Sequence, residues 1–334
     1  MRHFAALVVA LWMAMPLAYG QSGDAPDSPV EAAVEAADAT EAVMETANVA
    51  TPTLGIPKHR LYYSNAVFAR VNPLGLINQL TMGWRYRLID ADPDSTLFGD
   101  TYTLLGLSSR ASPAFGRIGV HAEIMPIAVF RAWVDYEFVG FFGTFDQVAG
   151  FDSASAMYSD QTLRALDRKH RAIGTVLTTG AVLQGKVGPV AIRSTFQATR
   201  FDIGLEDADD NFFYDQYWDR LAPNRQFMFL NDFDVLGLFG PVRVGARWTW
   251  SDALVGDNDT DAGLAHHRVG PLFAYTFHDR GPGARFNQPT IFLLTQWWAQ
   301  HPYRAGQEQP QGLPLIALGF AFNGDLMGPR PERM

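Results

Sequence analysis

The stretch that decides the fold is residues 240–251, Gly-Pro-Val-Arg-Val-Gly-Ala-Arg-Trp-Thr-Trp-Ser. From Val242 onward, alternate residues form two sets. Val242, Val244, Ala246, Trp248 and Trp250 are all apolar, whereas Arg243, Gly245, Arg247, Thr249 and Ser251 are charged, small or polar. A strand points successive side chains to opposite faces, so this segment predicts a strand with one greasy wall and one basic wall.

The pattern recurs along the chain. Twelve strands are predicted, at roughly 60–71, 76–89, 98–110, 115–125, 128–142, 171–184, 189–203, 225–236, 241–252, 266–279, 288–300 and 313–323. Alternation is poor in 98–110 and 288–300. Residues 211–221, NFFYDQYWDRL, are assigned to a loop, since counting them as a strand would make the total odd. Most segments exceed the 5–6 residues usual in a soluble sandwich and suit a tilted strand crossing a bilayer. The fold class is therefore all-β: an antiparallel up-and-down transmembrane barrel of about twelve strands, of the kind found in Gram-negative outer membranes. A soluble β-sandwich with aromatic corners is the alternative.

The ends of the chain fit export. Residues 1–20 have the form of a signal peptide, with Arg2, an apolar core from Phe4 to Met15, and small Ala18 and Gly20 before Gln21. An uncleaved N-terminal anchor is the alternative, but the apolar run falls short of a spanning helix. Residues 21–57 form a linker whose first part carries seven acids, from Asp24 to Glu45, and no Lys or Arg. It reads as a disordered periplasmic segment, a partner-binding segment being the other possibility. The linker accounts for much of the net charge of −9, so the acidity says little about a ligand. The barrel is expected to span 58–323, followed by a tail at 324–334. Cysteine is absent, which removes disulfides and thiolate chemistry.

Turn-like segments are Asn-Pro-Leu-Gly at 72–75, Ser-Pro-Ala at 112–114, Met-Pro at 125–126, Gly-Lys-Val-Gly at 185–188 and Gly-Leu-Phe-Gly at 237–240. With both termini periplasmic, the long connections 143–170, 204–224, 253–265 and 301–312 all fall on the outer side. Aromatic strand ends (Tyr62, Tyr63, Trp84, Tyr86, Phe141, Phe142, Trp248, Trp250, Trp297 and Trp298) predict girdles at the two interfaces.

Leu313-Pro-Leu-Ile-Ala-Leu-Gly-Phe-Ala-Phe322 resembles the C-terminal insertion signal of outer-membrane barrels, which the barrel assembly machinery recognises. Here Asn323 to Met334 follow it, whereas the signal usually closes the chain. NPLGL at 72–76, SPAFGRIG at 112–119 and PIAVFRAWVDYEFVGFFGTF at 126–145 are similar to a group of outer-membrane proteins with no function to carry over. That likeness covers about a quarter of the chain.

The inward sets are rich in charge. Arg85, Arg87, Arg117, His121, Glu123, Arg131, Asp135, Glu137, Arg193, Asp232, Asp234, Arg243, Arg247 and Arg268 are expected to line the lumen, as is His278. A charge facing lipid at mid-depth costs a few kcal/mol, so these groups must point inward. Two arrangements follow: Arg–carboxylate networks that fill a closed lumen, or excess arginine lining a passage for small anionic solutes. A twelve-stranded barrel is near the size where either fits. The first expectation is a porin-like passive channel with anion preference. The alternative is a non-conducting structural or surface-interaction barrel. A rim hydrolase is a third class. A lipase site on the outer wall needs His beside Ser across strands, and no such pair is found. Asp257, Asp259, Asp261, His266 and His267 supply the residue types of an omptin-like protease, or of a loop metal site, but no recognised spacing. No enzyme activity, cofactor, metal or nucleic-acid site is expected. The expected partners are outer-membrane lipid, the assembly machinery and small anions.

Overall fold

The computed structural model describes residues 58–90, 95, 97–99, 101–143, 148–166, 170–207, 210–253, 265–306, 310 and 312–328. The segments expected to be a signal peptide (1–20) and an acidic linker (21–57), and the last six residues of the chain, lie outside them.

Twelve long strands close into one antiparallel barrel. They are β1 (His59–Val71), β2 (Gly75–Arg87), β3 (Tyr102–Ala111), β4 (Phe115–Ile127), β5 (Phe130–Phe142), β7 (Arg171–Val187), β8 (Val190–Ile203), β11 (Phe227–Phe239), β12 (Val242–Ala253), β13 (His266–Thr276), β14 (Asn287–Gln300) and β15 (Leu315–Asp325). Each pairs with its neighbour along the chain, and β1 pairs with β15 to close the ring. The closing seam also carries an ion pair, Arg60 Nε to Asp325 Oδ2 at 3.4 Å. Closure leaves no strand edge unpaired, which a bilayer requires.

Three further strands stand outside the wall. β6 (Gly150–Phe151), β9 (Phe212–Asp215) and β10 (Arg220–Pro223) form a small sheet in the order β10-β9-β6. A short helix, α1 (Asp160–Leu166), accompanies them. Residues 211–221 thus lie in a connection, as expected, but carry a hairpin of their own.

All twelve predicted wall segments are strands, and the differences lie at the ends. The segment placed at 98–110 begins at Tyr102, and that placed at 225–236 runs Phe227–Phe239. The last strand continues to Asp325, two residues past the expected boundary at 323. Met125-Pro126 and Gly237 are inside strands rather than turns. The actual reversals at Gly188-Pro189 and Gly240-Pro241 place each glycine at φ 57, the glycine-first form of a two-residue hairpin.

Candidate functional site

The two faces of the wall differ as the alternation requires. Leu105, Ile118, Phe138, Ile173, Leu183 and Leu318 are among the exposed large apolar side chains of the outer face. Trp84 and Tyr86 lie near the end of the barrel that holds the two-residue turns at 128–129, 188–189 and 240–241, and Trp248 and Trp297 near the other. This is an outer-membrane β-barrel. The girdle is narrower than expected, because neighbouring aromatics point opposite ways. Tyr62, Phe141 and Trp298 face inward and are buried, while Tyr63, Phe142 and Trp297 face out. His266 and His267 divide likewise: His266 is buried inside, and His267 stacks on Trp248 outside at 5.6 Å and 10°.

The inward charged residues form two networks. The first joins β3, β4 and β5. Glu123 Oε2 accepts from Arg131 Nη1 at 2.7 Å, and its Oε1 accepts from the Tyr102 hydroxyl. His121 Nδ1 lies 2.8 Å from Asp135 Oδ1 and its Nε2 3.6 Å from Glu123. Glu137 accepts from Arg110 at 2.6 Å and from the Ser108 hydroxyl at 2.9 Å. Arg110 also lies 3.7 Å from Asp135. Beside this network, Arg85 sits over the rings of Tyr62 and Tyr102 at 3.8 and 3.9 Å.

The second network joins β11, β12 and β14. Arg247 holds Asp234 in a two-pronged pair, Nε to Oδ1 at 2.6 Å and Nη2 to Oδ2 at 2.7 Å. Its Nη1 is 3.5 Å from Asp232, which also accepts from Thr249 at 2.6 Å. Thr249 in turn accepts from Gln296 at 3.0 Å. Arg193 on β8 donates to Thr195 at 2.7 Å. It stands opposite Asp234 in the β8–β11 register.

The remaining sequence-predicted residues are spread along the wall. Arg87 pairs with Asp90 at 3.4 Å near the end of the barrel where β2 finishes. Arg243 donates to the Gly240 and Val242 carbonyls beside the hairpin there. Towards the opposite end, Arg117 lies against the rings of Phe115 and Phe201, and Arg268 against Trp298 at 4.8 Å. None of the three Arg268 guanidinium nitrogens has a hydrogen-bond partner. Arg131, Arg193, Arg243, Arg247 and Arg268 all rank among the largest fully buried side chains of the described residues.

Sequence reasoning missed Arg110, Arg60 and Arg70. Arg110 keeps period-two register with Tyr102, Leu104 and Ser108, a signal hidden by Leu105 and Leu107 on the other face. It missed entirely the cluster at the barrel mouth beside the 204–226 connection. There, Asp215 Oδ1 accepts from the backbone of Tyr217 at 2.7 Å and Trp218 at 3.3 Å, an aspartate-anchored turn that folds 212–223 back on itself. Phe212 and Tyr214 then face the small sheet's own core with Phe151, Tyr158, Leu163 and Leu221. Phe213 faces the wall, edge-on to Phe201 at 5.3 Å.

The turn reaches across the barrel. The 204–226 connection springs from β8 and β11, yet Arg70 Nη1 on β1 donates to the Tyr217 carbonyl at 3.3 Å, and Arg70 lies over the Tyr217 ring at 4.9 Å. Gln216 Nε2 donates to the Leu74 carbonyl at 3.4 Å. Between β11 and β1 stand four strands one way round, and between β8 and β1 five the other. The segment therefore spans the mouth.

Two residues from the β14–β15 connection fasten it. Arg304 grips Asp219 with Nε and with Nη2, the latter at 2.9 Å. It also reaches Asp160 on α1 at 3.2 Å and Asn72 in the β1–β2 turn at 3.3 Å. His301 Nε2 lies 3.1 Å from the Asp219 carbonyl. Burial alone would raise the Asp219 carboxyl, but Arg304 and His301 outweigh it and hold it well below the usual carboxylate range. Burial and the nearby Asp219 push the Tyr214 phenol well up. Asp257, Asp259 and Asp261, the acids considered for a protease or a metal site, lie outside the described residues.

No family model matches the sequence, and comparison with curated proteins finds no relative. Solved outer-membrane barrels share the general form. OccAB1 of Acinetobacter baumannii has a TM-score of 0.35 and 11% identity over 75% of this chain, and the match spans only 57% of OccAB1. The translocator domain of the autotransporter NalP of Neisseria meningitidis gives 0.38 and 11%, over 80% of this chain and 88% of that domain. Omp33 of A. baumannii gives 0.33 and 10%, over 80% and 99%. At such distances the likeness carries nothing about what passes through, or binds to, this barrel.

Proposed function

We propose that this outer-membrane barrel is closed at rest and works as a rigid, salt-bridged platform at the cell surface. The observation that carries the reading is the burial of the inward charges. Arg131, Glu137, Asp232, Asp234, Arg243 and Arg247 are each 0% exposed, which leaves no water-lined path beside them. Ion pairs that fill a lumen in this way cross-brace the wall, and the segment over the mouth adds a second closure. What then faces the medium is the cover and the outer connections, the natural surface for a partner. The periplasmic placement of the acidic linker, and recognition of β15 by the assembly machinery, belong to the same reading.

A passive, anion-preferring channel is the second reading. It is favoured by the balance of charge, since the buried groups include twelve arginines against eight carboxylates among the described residues. It requires both the inner networks and the cover to rearrange. Swelling of vesicles loaded with the folded chain, in small neutral and anionic solutes, separates the two. The closed platform gives the rate of empty vesicles. Swelling faster with anionic solutes supports the channel.

A further inference from the structure

The mouth cover is fastened through a histidine whose protonation state the geometry fixes. His301 Nδ1 receives two backbone N–H groups, from Tyr303 at 3.1 Å and Arg304 at 3.1 Å. A nitrogen that accepts must hold a lone pair, so the ring proton sits on Nε2. Nε2 faces the Asp219 carbonyl at 3.1 Å and the Asp219 carboxylate at 3.3 Å. The neutral ring thus accepts on one side and donates on the other. A second proton would place an N–H at Nδ1, against two N–H groups of its own segment.

We propose that His301 is an acid-operated latch: protonation of its Nδ1 breaks the two backbone hydrogen bonds that shape residues 301–304 and frees the 204–226 segment from the mouth. This rests on the closed-barrel reading in taking that segment as a cover.

The surroundings favour this direction. On its own segment, Arg304 repels an imidazolium and Tyr303 lies 6.3 Å away, ring to ring. From β13, the His266 ring approaches to 4.3 Å, and its Nε2 is 3.3 Å from the Tyr158 hydroxyl. Trp298 of β14 lies at 4.5 Å and Tyr158 at 6.3 Å. Asp160 of α1 is turned to Arg304. Asp219 alone attracts an imidazolium directly, and its carboxylate is already gripped by Arg304. Burial lowers the proton affinity of His301 and outweighs the pull of Asp219. The latched form therefore binds fewer protons than a released, solvated histidine. Its stability is complete above the ordinary histidine value near 6.5 and falls as the pH drops below it. Once Arg304 is displaced with its segment, the grip on Asp219, Asp160 and Asn72 goes with it.

The chain has no cysteine, so a single thiol can report the cover. Ala222, fully buried in β10, is replaced in an Ala222→Cys variant. Its labelling by a water-soluble thiol reagent in vesicles is compared, at each pH, with the same variant unfolded in denaturant. The latch predicts that protection falls by about tenfold or more between roughly pH 7.5 and pH 5. In an added His301→Gln background, which cannot titrate, protection should stay flat. Constant protection in the first variant, or an equal fall in the second, overturns the proposal. If His301→Gln does not fold, nitrogen NMR of labelled histidine in the otherwise native chain decides it. A bare Nδ1 at neutral pH that gains its proton as protection is lost supports the latch, and a proton already on Nδ1 overturns it. Neither readout depends on conductance, so a barrel that conducts at neutral pH would refute the closed platform and leave the latch to be judged by labelling.

Discussion

Arg304 and Asp219 are 85 residues apart in sequence, yet Arg304 holds both oxygens of the Asp219 carboxylate at the barrel mouth. One guanidinium there joins the cover, α1 and the β1–β2 turn. Removing it leaves Asp219 buried without its main partner. Arg304→Ala should destabilise the cover by about 3–5 kcal/mol, seen as loss of thiol protection at Ala222→Cys. The barrel wall should still fold. Arg304→Lys keeps the charge without the fork and should fall between the two.

The Asp219 carboxyl is held below its ordinary value, so its contribution has a definite sign. It is fully present above the usual carboxylate range near pH 4 and is lost only as the pH falls below that. The cover should therefore loosen in two separate steps, one in the histidine range and one far more acidic. Asp219→Asn should remove the acidic step, and would also weaken the cover at neutral pH. A pH series of thiol protection in the two proteins checks this.

Within the lumen, Arg247 and Asp234 are the most fully committed pair. Arg247→Ala should cost about 3–5 kcal/mol in urea unfolding from lipid vesicles, because two buried carboxylates lose their cation. Replacing Asp234 by Ala as well should recover part of that loss, giving a favourable coupling in a double-mutant cycle. Charge reversal separates the roles of the two arginines of β12. Arg247→Glu should prevent folding or sharply destabilise the barrel. Arg243→Glu should do less harm, since Arg243 donates to the carbonyls of Gly240 and Val242 beside the β11–β12 hairpin.

Gly319 shows how a flat spot in the wall is used. A Cβ built there would come within 1.8 Å of the Phe292 ring, which lies over the glycine from β14. Gly319→Ala should destabilise the barrel by about 1–3 kcal/mol through overpacking. Phe292→Leu in the same chain should relieve most of it, as measured by urea unfolding.

The wall was legible because the bilayer and the lumen demand opposite side chains, and β12 carries that demand residue by residue. It was least legible in β14, where Phe292 and Leu294 face inward. There the inner face packs against Leu272, Ala274, Leu315 and Ala317, so both faces are apolar and the alternation vanishes. Tyr62/Tyr63 and Trp297/Trp298 misled for a related reason: a strand turns one member of each pair to the inside. Parity sorts the side chains of a strand into two faces, but it cannot tell a filled lumen from an open one. That depends on which carboxylate meets which arginine across neighbouring strands. The cover was not legible at all. Asp219, His301 and Arg304 have no periodic signal, and only the folded chain brings them together.

The most direct measurement is single-channel recording of the folded chain in a planar bilayer at neutral pH. The barrel should insert, yet show no steady openings, because its inner arginines are buried and its mouth is spanned. Steady openings with anion preference under those conditions would contradict the closed barrel, and would make Arg193, Arg247 and Arg268 the residues of a conducting path.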